Sequence, residues 1–149
     1  MIRRTSLSDL LVPFGIALVV VYLLLKASYE SLPPFQWFTA LPIAALAVAE
    51  VVIANRVRAA VRHKPQAKPM TALAVARAVA LGKASVLVGS ALAGAVVALL
   101  AEVVPDAGRT TAAAHDLKVA LVLLVTTTLL TVAGLLLERA GIDPGHGRQ

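Results

Sequence analysis

The chain contains no cysteine. Disulfides, thiolate metal sites and cysteine nucleophiles are therefore excluded. Charge is scarce as well: 15% of the 149 residues are Asp, Glu, Lys or Arg, against about 25% in an ordinary soluble domain. Of three histidines, His63, His115 and His146, no two share a polar segment. No HExxH, GxSxG or phosphate-cradling glycine loop occurs, so the common hydrolase and nucleotide patterns are missing. His115-Asp116 beside Asp106 is the one grouping that resembles a metal site, and a solvated loop is the favoured reading of it. No catalytic residue, metal or cofactor is expected.

What the chain has in abundance is apolar length. Hydrophobic residues make up 59% of it, more than a soluble core of this size could hide. Residues 10–25, 31–49, 84–101 and 119–137 carry no charge. A bilayer-crossing helix needs about 17–25 residues, and Lys26 can snorkel to lengthen the first run. None of the runs shows the alternation of a barrel strand. The pattern predicts an all-α, integral membrane four-helix bundle forming one domain. Its spans fall near 9–28, 37–60, 72–102 and 117–139, followed by a polar tail at 140–149. Ser8 or Asp9 is expected to cap the first helix, with Pro13 in its first turn. Arg3 and Arg4 open like a signal peptide, but Leu25-Lys26-Ala27-Ser28 offers no cleavage site, so an uncleaved span is expected.

Basic residues set the expected orientation. Arg3, Arg4, Arg56, Arg58, Arg62, Lys64, Lys68, Arg77, Arg139 and Arg148 lie on one side, and Lys26, Arg109 and Lys118 on the other. The richer side is normally cytoplasmic, which puts both termini and the loop at about 56–77 in the cytoplasm. That loop has no acid and reads as a surface for anionic lipid headgroups. Nucleic acid is disfavoured, because the charges lie between apolar runs. Tyr29, Phe35, Trp37 and Phe38 cluster in the first outer loop, as interfacial anchors do.

Glu50 and Lys83 are the intramembrane charges. Glu50 lies six residues before Arg56 and Lys83 six after Arg77. At ~1.5 Å per residue both are ~9 Å from their boundary charges. An ion pair between the second and third helices is expected, and separate snorkelling is the alternative. On the third helix Gly82, Ser85 and Gly89 fall near one face, while Ser90, Gly94 and Ala98 form a second ridge. Small residues let helix backbones approach closely in lipid, so this helix is expected to be central. On the fourth, Thr127, Thr131, Gly134 and Glu138 share a face, with hydroxyls able to bond their own backbone.

These residues also carry a resemblance. Residues 5–10 (TSLSDL), 32–37, Glu50 with Asn55-Arg56 and Arg58, residues 76–85 (ARAVALGKAS), Gly89/Gly94 and Leu137-Glu138-Arg139 resemble a family of small, uncharacterised four-span actinobacterial membrane proteins. Its genes often lie beside folate-biosynthesis genes. Gly141 and Ile142 stand where many members have Cys and Arg. The resemblance implies the topology and no activity. The leading expectation for function is a structural or accessory interaction protein of the cytoplasmic membrane, contacting lipid, other membrane proteins or a second copy. A transporter, or transporter subunit, using Glu50 and Lys83 is the alternative, and a membrane enzyme ranks last.

Overall fold

The computed structural model describes residues 5–28, 36–62 and 69–141. Four helices hold most of them: α1 (Leu7–Ser28), α2 (Ala40–Val61), α3 (Ala72–Val103) and α4 (Thr111–Ala140). No strand occurs among the described residues. Each helix is long and apolar enough to cross a membrane.

Local chemistry explains where the helices start. Before α1, the Ser6 N–H donates to Asp9 Oδ2 at 2.8 Å, one half of a capping box. The cap is thus Ser6, with Asp9 bonding back to it, and α1 begins two residues before the expected 9. Pro13 is then the seventh helical residue, beyond the first turn, and the Asp9 carbonyl loses its helical donor. Pro42 is the third residue of α2, where a missing N–H costs nothing. The Thr71 hydroxyl accepts from Ala74 N at 3.2 Å and caps α3. Thr110 does the same with Ala113 N at 3.2 Å. That cap starts α4 at Thr111 instead of 117, with Asp116 and Lys118 inside the helix.

The helices do not pack in chain order. α3 and α4 form the centre, α1 lies against α3, and α2 lies against α4. α2 meets α3 only locally, and the backbones of α1 and α2 do not come close to each other. At one end Leu25, Ala40, Val103 and Ala113 share a core cluster; at the other Val57, Ala78 and Leu137 share a second. The helices therefore alternate in direction. Arg56, Arg58, Arg62, Arg77 and Arg139 all fall at the second end, called here the basic end.

Close backbone approach holds the centre together. A Cβ added at Gly82 would meet Gly134 O at 2.8 Å and Glu138 N at 2.9 Å. One added at Gly89 would meet Thr131 N at 3.0 Å. Gly94 does the same job on the opposite side, where a Cβ would run into the Phe14 carbonyl of α1. Lipid provides no hydrophobic drive to associate, so this close contact supplies the dispersion attraction instead. The outer surface is correspondingly apolar. On α1, Leu11, Val12, Ile16, Val19, Leu23 and Leu24 are all exposed. A surface like this fits hydrocarbon and would aggregate in water. The chain is a multi-pass membrane protein.

Candidate functional site

Of the three buried carboxylates among the described residues, Asp116 lies at the far end of the bundle and the other two lie near the basic end. The first is Glu50 on α2, fully buried. Its register follows from its neighbours: Ala47 packs with Leu130 and Ala133, while Ala54 packs with Leu137 and Ala140. Between those levels α2 reaches α3, and the Ser85 hydroxyl donates to Glu50 Oε1. Oε2 is buried and has no hydrogen-bond partner among the described residues.

The second is Glu138, near the end of α4 and 2% exposed. Its Oε1 accepts from the Thr5 N–H at 2.8 Å, and its Oε2 accepts from the Thr5 hydroxyl. Lys83 Nζ lies 3.9 Å from Oε1. One carboxylate thus ties the start of α1 and the side chain of Lys83 to the end of α4.

The Glu50–Lys83 ion pair is corrected by this geometry. Lys83 is paired with Glu138, and Glu50 bonds Ser85. The expected depth is close: Ser85 is only two residues past Lys83, ~3 Å along the axis. The face is wrong. Two residues are ~200° of helical rotation at 3.6 residues per turn, so Ser85 looks toward α2 while Lys83 looks toward the start of α1. The premise that α2 and α3 are close antiparallel neighbours also fails, since α2 lies along α4.

The remaining candidates are placed as follows. Gly82 and Gly89 meet α4, Gly94 meets α1, and Ser85 serves Glu50. The Ser90 hydroxyl donates to Leu87 O at 2.9 Å within α3. Thr127 donates to Leu123 O at 2.8 Å, and Thr131 to Thr127 O at 2.9 Å. Those hydroxyls bond carbonyls of their own helices. Arg56, Arg62 and Arg77 are exposed and Arg58 half-buried; Lys64 and Lys68 lie outside the described residues, as do Tyr29 and Phe35. At the far end Arg109 Nη1 lies 3.5 Å from Asp106 Oδ1, Asp116 is buried and His115 exposed. No cluster of His, Asp or Glu able to hold a metal occurs among the described residues.

The residue that sequence reasoning undervalued is Glu138. It was visible as one member of the α4 face, but nothing in that spacing says it receives Thr5 and Lys83.

Ser85→Ala should cost about 1–3 kcal/mol, because it strips the one donor from a buried carboxyl. Glu50→Leu/Ser85→Ala together should be close to neutral, since both polar partners are then replaced by apolar groups. A double-mutant cycle on unfolding in mixed micelles reads the coupling. Additive effects would mean that the two side chains do not interact.

No curated protein and no solved structure matches the chain. A family model does: the chain belongs to the family described as protein of unknown function (DUF3180), whose model matches residues 10–144.

Proposed function

We propose that the chain is a non-catalytic accessory protein of the cytoplasmic membrane, with both termini and the α2–α3 connection in the cytoplasm. The observation that carries this reading is how the intramembrane polar groups are used. Ser90, Thr127 and Thr131 bond their own helices, Ser85 serves Glu50, and Glu138 holds Thr5 and Lys83. Among the described residues these groups fasten the bundle and converge on no reacting centre, and the remaining buried carboxylate, Asp116, stands apart from them at the far end. The small-residue faces are used inside the bundle, so contact with partners falls to the basic end, through Arg56, Arg62 and Arg77, and to the lipid-facing sides of α1 and α2. An actinobacterial source and a folate link rest on the resemblance alone and add no step.

Orientation is tested with single cysteines in this cysteine-free chain. Arg62→Cys should react with an impermeant maleimide only after the membrane is opened, and Gly108→Cys in intact cells. The reverse pattern would overturn the orientation. The accessory role is tested with a photocrosslinking residue at Arg62 or Arg77 in native membranes. Discrete protein adducts that vanish in Arg56→Gln/Arg58→Gln are the expected result; adducts to lipid alone would refute the role.

A transporter is the second reading, favoured by one observation. Glu50 Oε2 is a buried acceptor without a hydrogen-bond partner among the described residues, which a passing cation or proton could use. In this reading Glu50→Gln abolishes transport and leaves the bundle folded. Lys83 is not part of it, being paired with Glu138.

A further inference from the structure

The two halves of α1 are held differently. Leu25, in the last turn, is the one buried residue of this helix. Val21 and Leu25 join the core cluster at the far end. Before Val21, no residue of α1 joins a hydrophobic cluster among the described residues. In the middle α1 is seated on α3, where the Phe14 carbonyl stands against Gly94.

Towards the basic end a groove opens on each flank of α1. One, of about 380 Å³, runs between Ser8, Asp9, Val12 and Pro13 and the α3 residues Lys83 and Leu87. The other, of about 350 Å³, lies between Leu10, Leu11 and Phe14 on one side and Ala93 of α3 and Val132 of α4 on the other. Across a groove, the dispersion contacts that hold helices together in lipid are forfeited. The start of this segment is fastened instead by polar groups, the Thr5 N–H and hydroxyl on Glu138.

The same segment ends at a break in the helical ladder. Pro13 has no N–H to give the Asp9 carbonyl. Two residues on, a Cβ at Gly15 would meet nothing within 4 Å, so there is room on that side. Sharp helix bends occur at such prolines. Leu7 lies seven residues before Phe14, ~10 Å along the axis. A bend of about 30° at Pro13 would therefore carry Leu7 ~5 Å.

We propose that residues 7–13 of α1 form a hinged arm. Glu138 latches its tip through Thr5, Pro13 to Gly15 is the hinge, and Phe14 on Gly94 is the fulcrum. Latched, the arm divides the two grooves. Released, it lifts from α3, and the grooves join into one cleft that reaches from Lys83 past Leu87 to Ala93 and opens to lipid. The arm is independent of which leaflet the basic end faces and of the accessory role.

The test measures distances between pairs of spin labels in the full chain, reconstituted in lipid nanodiscs. Leu7→Cys/Val52→Cys reports the tip of the arm against α2, and Val19→Cys/Val52→Cys reports the half of α1 beyond the hinge. All three positions are exposed. With the latch intact, each pair should give one narrow distance. Glu138→Ala should add a second Leu7–Val52 distance displaced by ~5 Å and leave Val19–Val52 unchanged, which also shows that the bundle is folded. Thr5→Ala keeps the backbone half of the latch and should populate the second distance less; it replaces Glu138→Ala if that protein does not fold. Adding Pro13→Ala restores the donor to the Asp9 carbonyl and should return the Leu7 label to one distance. A Leu7–Val52 distance that ignores loss of the latch, or a shift shared equally by Val19, would overturn the proposal. So would a second distance that persists with Pro13→Ala, since fraying of the first turn needs no hinge.

Discussion

Gly134→Val should lose about 3 kcal/mol of stability or more, at the top of the range for overpacking. A Cβ at position 134 would lie 2.7 Å from Gly82 O and 3.0 Å from Val86 N. Both are backbone atoms of α3, so no rotamer change relieves the clash. The helices must separate, and the dispersion contacts along the α3–α4 seam weaken together. In water, hydrophobic burial would hold the pair together; in lipid no such force acts. Reversible unfolding in mixed micelles measures the loss. Gly15→Ala is the control, because a Cβ there meets nothing within 4 Å. It should be neutral or stabilising by up to about 1 kcal/mol, from helix propensity. A Gly134→Val protein as stable as the control would refute the close seam.

Glu138→Ala is the second large effect, expected at about 2–3 kcal/mol, the scale of hydrogen bonds to a charged group. It removes the acceptor for the Thr5 N–H and hydroxyl and the carboxylate beside Lys83. Thr5→Ala should cost less, since the backbone N–H still bonds. The effect should also be local. Deuterium exchange should rise over residues 7–12 of α1 in Glu138→Ala and change little along α4. Unchanged exchange at α1 would mean that its start is fastened by something else.

These two positions show what the sequence reveals and what it hides. Uncharged length placed the four helices, and it placed Glu50 and Lys83 near one level, because depth is a one-dimensional property counted along the chain. Which helix faces which is not. α2 docks on α4 because Ala47 and Ala54 meet Ala133 and Ala140 there. Small residues occur on several helices, and spacing alone does not say which faces meet. Gly82 and Gly134 were each visible on a face, but their mutual contact belongs to two helices at once. Helix starts depend on caps that span only a few residues. α1 starts at Leu7 because the Ser6 N–H bonds the Asp9 carboxylate, two residues before the expected 9. α4 starts at Thr111, six residues before the expected 117, because the Thr110 hydroxyl caps it. Glu138 stayed obscure because its partners lie at the far end of the sequence and across the bundle.

The order α1–α3–α4–α2 is tested most directly by paired cysteines oxidised in native membranes. Ala47→Cys/Ala133→Cys joins α2 to α4, whose side chains at those positions pack together. Val19→Cys/Val48→Cys would join α1 to α2, whose backbones do not come close to each other. The first pair should give an intramolecular disulfide and the second none. A disulfide in the second pair without one in the first would contradict the account.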